Sequence, residues 1–221
     1  MRKIKLLLAK FLRSKGRRSF IAGLPENAHI LDVGCGNAAV LGVKAVRPNC
    51  HYTGIDIADY NQTSFSKSAM DRYVISSPSK FAASIKELGA DFDGIISSHN
   101  LEHCDDRNEV LTAMLQKVKS GGVIYVSFPC EESVRFPKRH GTLNYYDDDT
   151  HKFLPPKFEE VVSSIKKNGF EIEFVTKRYR PFLLAVIGFL IEPISALRKK
   201  VMRGTWELYG FETIIHARRK R

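Results

Sequence analysis

The sequence predicts an α/β fold, a doubly wound parallel sheet with helices on both faces. Three observations carry this prediction. Short β-rich runs alternate with helix-length stretches through the middle of the chain, the first run ends in the glycine-rich turn Gly34-Cys35-Gly36, and acids, Asp32 and Asp56, stand at the ends of the first two runs. Strand followed by helix followed by strand requires crossover connections, which lay helices over the sheet. With 221 residues, 43% apolar and 27% charged, the composition is globular and excludes a disordered, collagen-like or polytopic membrane chain.

The elements follow in order. Residues 1–20 hold eight Lys/Arg and no acid, and set Ile4, Leu7, Leu8, Phe11 and Leu12 at one-face helical spacing. They predict a basic amphipathic helix, suited either to an anionic membrane surface or to packing on the domain with its charges solvated. Lys10 breaks the apolar run and basic residues follow, so the segment does not read as a signal peptide. Strands are predicted at 29–33, 51–57, 73–76, 94–98, 123–128, 171–176 and 212–217. Helices fit at 38–46, 79–88, 107–118 and 156–167, the last stopped by Asn168 and Gly169.

Residues 177–211 stand as an insertion before the last strand. Within it, 182–191 (FLLAVIGFLI) is apolar but far shorter than the roughly 20 residues of a bilayer crossing. A buried helix, a dimer contact and an interfacial wedge all fit it, and Arg198, Lys199, Lys200 and Arg203 follow closely. The net charge of +11 thus sits at the two ends, leaving the middle net acidic. The organisation expected is a helix over 1–20 and one domain over 21–221 containing the insertion. Cys35, Cys50, Cys104 and Cys130 lie far apart with no CxxC pair, which points away from a zinc ribbon or disulfide scaffold and toward reduced thiols in a cytosol.

Glycines after the first strand let the backbone turn sharply and approach a ligand at the carboxyl edge of the sheet. Asp56, at the tip of the second strand, can accept from both hydroxyls of a ribose. A dinucleotide site would want GxGxxG, but the third position here is Ala39, and Asp32 would set a negative charge near a pyrophosphate. S-adenosylmethionine carries no phosphate and offers an ammonium to an acid, so charge favours it.

Four segments in sequence, LDVGCGNAAVL, GIDIA, FDGIISSHNLEH and LQKVKSGGVIYVSFP, resemble the motifs of class I S-adenosylmethionine-dependent methyltransferases over most of 30–174. The resemblance implies a seven-strand Rossmann-like sheet whose last strand runs antiparallel. It also implies that Asp32, Gly34 and Gly36, with Cys35 between them, hold the methionine end, and that Asp56 with Ile57 holds the ribose. The acid that often meets adenine after the third strand is missing; Ser76 and Ser77 take its place, and His99 at the tip of the fourth strand completes the cofactor candidates. Some ubiquinone-pathway O-methyltransferases hold a divalent metal with an ExxEH stretch, in which His99 here replaces the first Glu. His99, Glu102 and His103 would suit a transition metal, but the reading adopted is metal-free, with Glu102 and His103 covering the cofactor and capping the next turn.

After the fifth strand comes a polar and aromatic loop, 139–151. Its His151 is the candidate general base, oriented by Asp149, with Tyr145 or Tyr146 shaping the acceptor pocket and His103 nearby. The plainer alternative is an acidic turn in which Asp149 caps a short helix. NYYDDDTHKFLPP, over 144–156, resembles a segment of methyltransferases of bacterial glycan and lipopolysaccharide assembly. The expected function is therefore O-methylation of a sugar hydroxyl, or another small or lipid-linked acceptor, at the cytoplasmic face of a membrane. RNA or protein methylation, and a non-catalytic membrane-associated scaffold, stand as alternatives, although no RNA-binding module is visible.

Overall fold

The computed structural model describes residues 15–89 and 91–221. Strands β1 (His29–Val33), β2 (His51–Asp56), β3 (Arg72–Ile75), β4 (Phe92–Ser98), β5 (Val118–Pro129), β6 (Phe170–Thr176) and β7 (Glu212–Arg219) form one seven-stranded sheet in the order β3-β2-β1-β4-β5-β7-β6. The first five are parallel, and β7 runs antiparallel to both β5 and β6. This is the Rossmann-like arrangement expected. Helices α1 (Arg17–Ala22), α2 (Ala39–Lys44), α3 (Ser64–Ser68), α4 (Phe81–Lys86), α5 (Arg107–Gln116) and α6 (Phe158–Lys167) cover it.

The pleat divides each central strand between two cores. Leu31 and Val33 of β1, Ile95 of β4 and Ile124 and Val126 of β5 pack under α4, α5 and α6. Their neighbours Ile30, Ile96 and Tyr125 face Phe20 and Ile21 of α1 and Val40 and Val43 of α2. The expected boundary at residue 20 therefore falls inside a helix whose two buried side chains belong to the domain core. The rest of the amphipathic segment, residues 1–14, lies outside the described residues.

Three elements depart from expectation. β5 starts at Val118 rather than at 123, because Gly121 and Gly122 continue the strand through a register shift opposite Phe92 and Gly94. The short α3 arises from a local capping box, Thr63 with Ser66, embedded in a polar stretch with no apolar period. Within the insertion, α7 (Phe182–Leu197) runs through Pro193, and α8 (Thr205–Tyr209) follows.

Gly188 holds α7 against α8. A β-carbon there would stand 2.0 Å from the Gly204 carbonyl oxygen, and Gly204 itself has a positive φ of 84°. Gly188→Val is expected to cost about 1–3 kcal/mol through overpacking, seen as a Tm loss of about 2–4 °C per kcal/mol. An unchanged melt would mean that the two helices do not pack at this point.

Candidate active site

The carboxyl edge of β1 turns through Gly34, with φ of 78°, where any β-carbon would meet the Asn100 side chain at 2.8 Å. Asn37 and Ala38 continue with φ of 56° and 54°, so the backbone bends into a cradle before α2. Across it lies Asp56. Its Oδ2 accepts the Gly36 amide at 2.8 Å and its Oδ1 the Ile57 amide at 2.8 Å. These amides fix the plane of the carboxylate, which keeps lone-pair capacity for a further donor. Burial raises the proton affinity of Asp56, opposed by those amides and by that of Ala58.

Asp32 is buried beside the cradle, where it accepts from Arg17 at 2.6 Å and from the Tyr52 hydroxyl at 2.8 Å. Burial pushes its pKa up, against the pull of Arg17 and Tyr52. Arg17 escaped notice as a site residue because it stood within a general basic run. Its Nε is a buried donor with no partner among the described residues, a suitable seat for a carboxylate. These features fit S-adenosylmethionine: a ribose partner with free lone pairs, an acid for an ammonium, a spare cationic donor for a carboxylate, and no phosphate.

The other cofactor candidates divide. Cys35 is fully buried, with its sulfur packed toward Gly54, so only its backbone borders the cradle. Ser76 is buried and bonded to Ser84 at 2.8 Å, whereas Ser77 is exposed and pairs with Ser79 at 3.3 Å. His99 does not face the cofactor loop with a free nitrogen. Its Nδ1 is 3.1 Å from Glu102 Oε1 and its Nε2 is 3.4 Å from Glu212 Oε1. Burial works against the charge on His99, but these two carboxylates outweigh it and push its pKa up to about 10. The imidazolium lies against Trp206 and Phe211 as part of a wall.

The 139–151 loop brings His151 onto the Glu102–His103 turn. His151 Nδ1 donates to the Tyr145 carbonyl at 2.6 Å, and the ring stacks on Tyr145 at 4.3 Å. That bond fixes the tautomer and leaves Nε2 with a lone pair. Burial, partly offset by the Tyr145 carbonyl, holds His151 below its ordinary pKa of 6.5. The acid near it is Asp148, at 3.9 Å from Nε2; Asp149 is exposed and does not orient the ring, which corrects the expectation. In a run of three aspartates the local turn decides which one faces inward, and here Asp148 also accepts from the Thr150 amide and hydroxyl. Thr150 Oγ1, its proton given to Asp148, accepts from His103 Nδ1 at 3.0 Å, and the Thr150 carbonyl lies 3.3 Å from the same nitrogen. Tyr146 is half exposed, edge-on to Tyr145.

Glu102, His103 and His151 each bring a ligand-type atom within 4.8 Å of the others, close enough to hold a cation. Glu102 Oε2 is buried without a hydrogen-bond partner among the described residues. His99, one of the three residues weighed for a metal, is not in this group, since both its nitrogens face carboxylates.

The loop is tied to the insertion. Arg139 Nη1 donates to Glu192 at 2.8 Å and to Ser195 at 2.6 Å, and Trp206 Nε1 donates to the Thr142 carbonyl at 2.7 Å.

A family model described as a methyltransferase domain matches residues 4–173. The chain belongs to that family. Its fold is that of class I methyltransferases, and S-adenosylmethionine is the cofactor its cradle fits. The chain is 32% identical over 108 residues to a ubiquinone biosynthesis O-methyltransferase of Bartonella quintana, a match that covers 46% of this chain and 41% of that protein. It thus spans less than half the length of that curated relative. Among solved structures, the chain resembles an S-adenosylmethionine-dependent methyltransferase of Mesorhizobium loti, with a TM-score of 0.59, 17% identity, and 89% of this chain and 94% of the other covered. It also resembles one of Archaeoglobus fulgidus, with a TM-score of 0.51, 21% identity, and 98% and 99% covered. These likenesses are of fold. Among the described residues, no helix is long and apolar enough to cross a membrane.

Proposed function

We propose that this methyltransferase transfers a methyl group from S-adenosylmethionine to the oxygen of a small acceptor, a sugar hydroxyl or a related small or lipid-linked hydroxyl of bacterial surface-glycan assembly, at the cytoplasmic face. One observation carries the oxygen reading: the Tyr145 carbonyl at 2.6 Å holds the Nδ1 proton of His151, so that a neutral Nε2 is ready to receive a proton. The partial relative, an O-methyltransferase by name, supports the same chemistry.

The donor, when bound, supplies a methyl already activated on a sulfonium. Asp56 orients the ribose through its remaining lone-pair capacity, and the positive φ of Gly34 brings backbone close to the ligand. Asp32 and Arg17 meet the ammonium and carboxylate of the methionine end. Ser76 and Ser77 border the adenine. His151 would take the hydroxyl proton at Nε2 while the acceptor oxygen gains the methyl and the sulfonium–methyl bond breaks, leaving S-adenosylhomocysteine, and Tyr146 lines the acceptor mouth with His103. The chain divides, on this reading, into an N-terminal basic segment and a catalytic domain in which the insertion 177–211 stands beside the acceptor loop.

Methyl-labelled donor incubated with pools of nucleotide-linked sugars, lipid-linked sugars and RNA tests the proposal. Label is expected in a sugar pool as an alkali-stable ether, at a rate little changed by salt. Label in RNA, falling steeply as salt rises, would replace this reading with nucleic-acid methylation.

A further inference from the structure

The outer face of α7 is apolar and uncovered. Phe182, Leu183, Phe189, Leu190, Ile194 and Leu197 follow helical spacing along one side, exposed from 48% at Ile194 to 85% at Leu197. The inner side is already committed. Gly188 meets Gly204 backbone, and Ser195 is fully buried between Arg139 and the Lys200 carbonyl. A helix fastened in this way cannot roll to hide its apolar stripe.

Charge decides what could cover it. At the carboxyl end of α7, Arg198, Lys199, Lys200 and Arg203 are all exposed and have no ion-pair partner among the described residues; Arg180, exposed before its amino end, donates to the Tyr209 carbonyl and feels the charge of Glu132. A second copy of the chain would bring the same cations against these. Residues 1–14 of the chain, which carry Arg2, Lys3, Lys5, Lys10 and Arg13 and no acid, would do the same. An anionic lipid surface reverses the sign: its headgroups attract the cations while the boundary with the acyl chains takes up the aromatic and aliphatic side chains. At 16 residues the helix is about 24 Å long, a length that suits lying along the interface.

We propose that α7 is an interfacial wedge that seats the chain on an anionic membrane surface, with its apolar stripe in the headgroup boundary and the cations at its carboxyl end on lipid phosphates. The contacts of Arg139 with Glu192 and Ser195 then hold the 139–151 loop close to the lipid. The proposal is independent of the acceptor reading.

The test is sedimentation of the full chain with vesicles of phosphatidylcholine alone and of two parts phosphatidylcholine to one part phosphatidylglycerol. Binding to the anionic vesicles is expected to exceed binding to the neutral ones by about 10-fold or more, and to weaken with salt. Phe189→Ser with Leu190→Ser is expected to reduce it by about 10-fold, leaving S-adenosylhomocysteine affinity and the emission of the lone tryptophan, Trp206, unchanged. Should that pair disturb the fold, Arg198→Glu with Lys199→Glu reads the electrostatic half on an exposed turn. Equal recovery in the supernatant with both vesicles overturns the proposal. So does binding that survives both pairs of substitutions, which would assign the contact to residues 1–14, and so does a dimer dissolved by the serine pair without vesicle binding. Loss of cofactor binding with vesicle binding intact would instead sink the catalytic reading alone.

Discussion

His151→Ala is expected to lower kcat by about 10²- to 10⁴-fold, the usual effect of removing a general base, with S-adenosylhomocysteine affinity unchanged. The pH profile carries the sign. Because burial holds His151 below 6.5, its imidazole is unprotonated through neutrality, and kcat falls only as the pH drops below that value. Asp148 favours the protonated ring from 3.9 Å, so Asp148→Asn should move the acid limb to still lower pH. Asp149→Asn, altering an exposed side chain, should leave the limb in place. Near-normal turnover of His151→Ala at every pH would remove the residue from the chemistry.

The second large effect lies in the cradle. Asp56→Ala is expected to weaken S-adenosylhomocysteine binding by about 100-fold or more, since hydrogen bonds to a charged group contribute about 1.5–3 kcal/mol each and the ribose has two hydroxyls. The alanine also strips the Gly36 and Ile57 amides of their acceptor, which loosens the loop itself. Asp56→Asn separates the two contributions. One amide oxygen can keep one of these backbone bonds, so a folded protein with strongly reduced affinity points to the charge and its lone pairs, as calorimetric titration would read. Unaltered affinity in both variants would place the ribose elsewhere.

Much of this architecture is legible in local sequence. The strand at 29–33 is read to the residue, and the cradle follows from the requirement for glycine where φ is positive. What escapes is set by partners distant in sequence. Asp32 pairs with Arg17, and His99 with Glu212 from the far end of the chain; neither pairing leaves a periodic trace. α7 outlasts Pro193, normally a stop signal, because Arg139 holds Glu192 and Ser195 from 53 and 56 residues away. Asp148 and Asp149 are chemically identical neighbours, and only the turn that also engages Thr150 tells them apart.

The two stems of the insertion meet. The Tyr179 amide donates to the Glu212 carbonyl at 2.7 Å, and the Thr213 hydroxyl donates to the Lys177 carbonyl at 2.7 Å, where β6 and β7 are already neighbours. A hairpin closed at its base leaves the sheet indifferent to what hangs from it, since lengthening a loop costs only logarithmically. The segment between these stems can therefore be shortened, extended or exchanged in evolution or by grafting, retargeting the protein to new surfaces and acceptors, while the cofactor cradle, on the same carboxyl edge but displaced across β4 and β5 to the tips of β1 and β2, keeps its own residues.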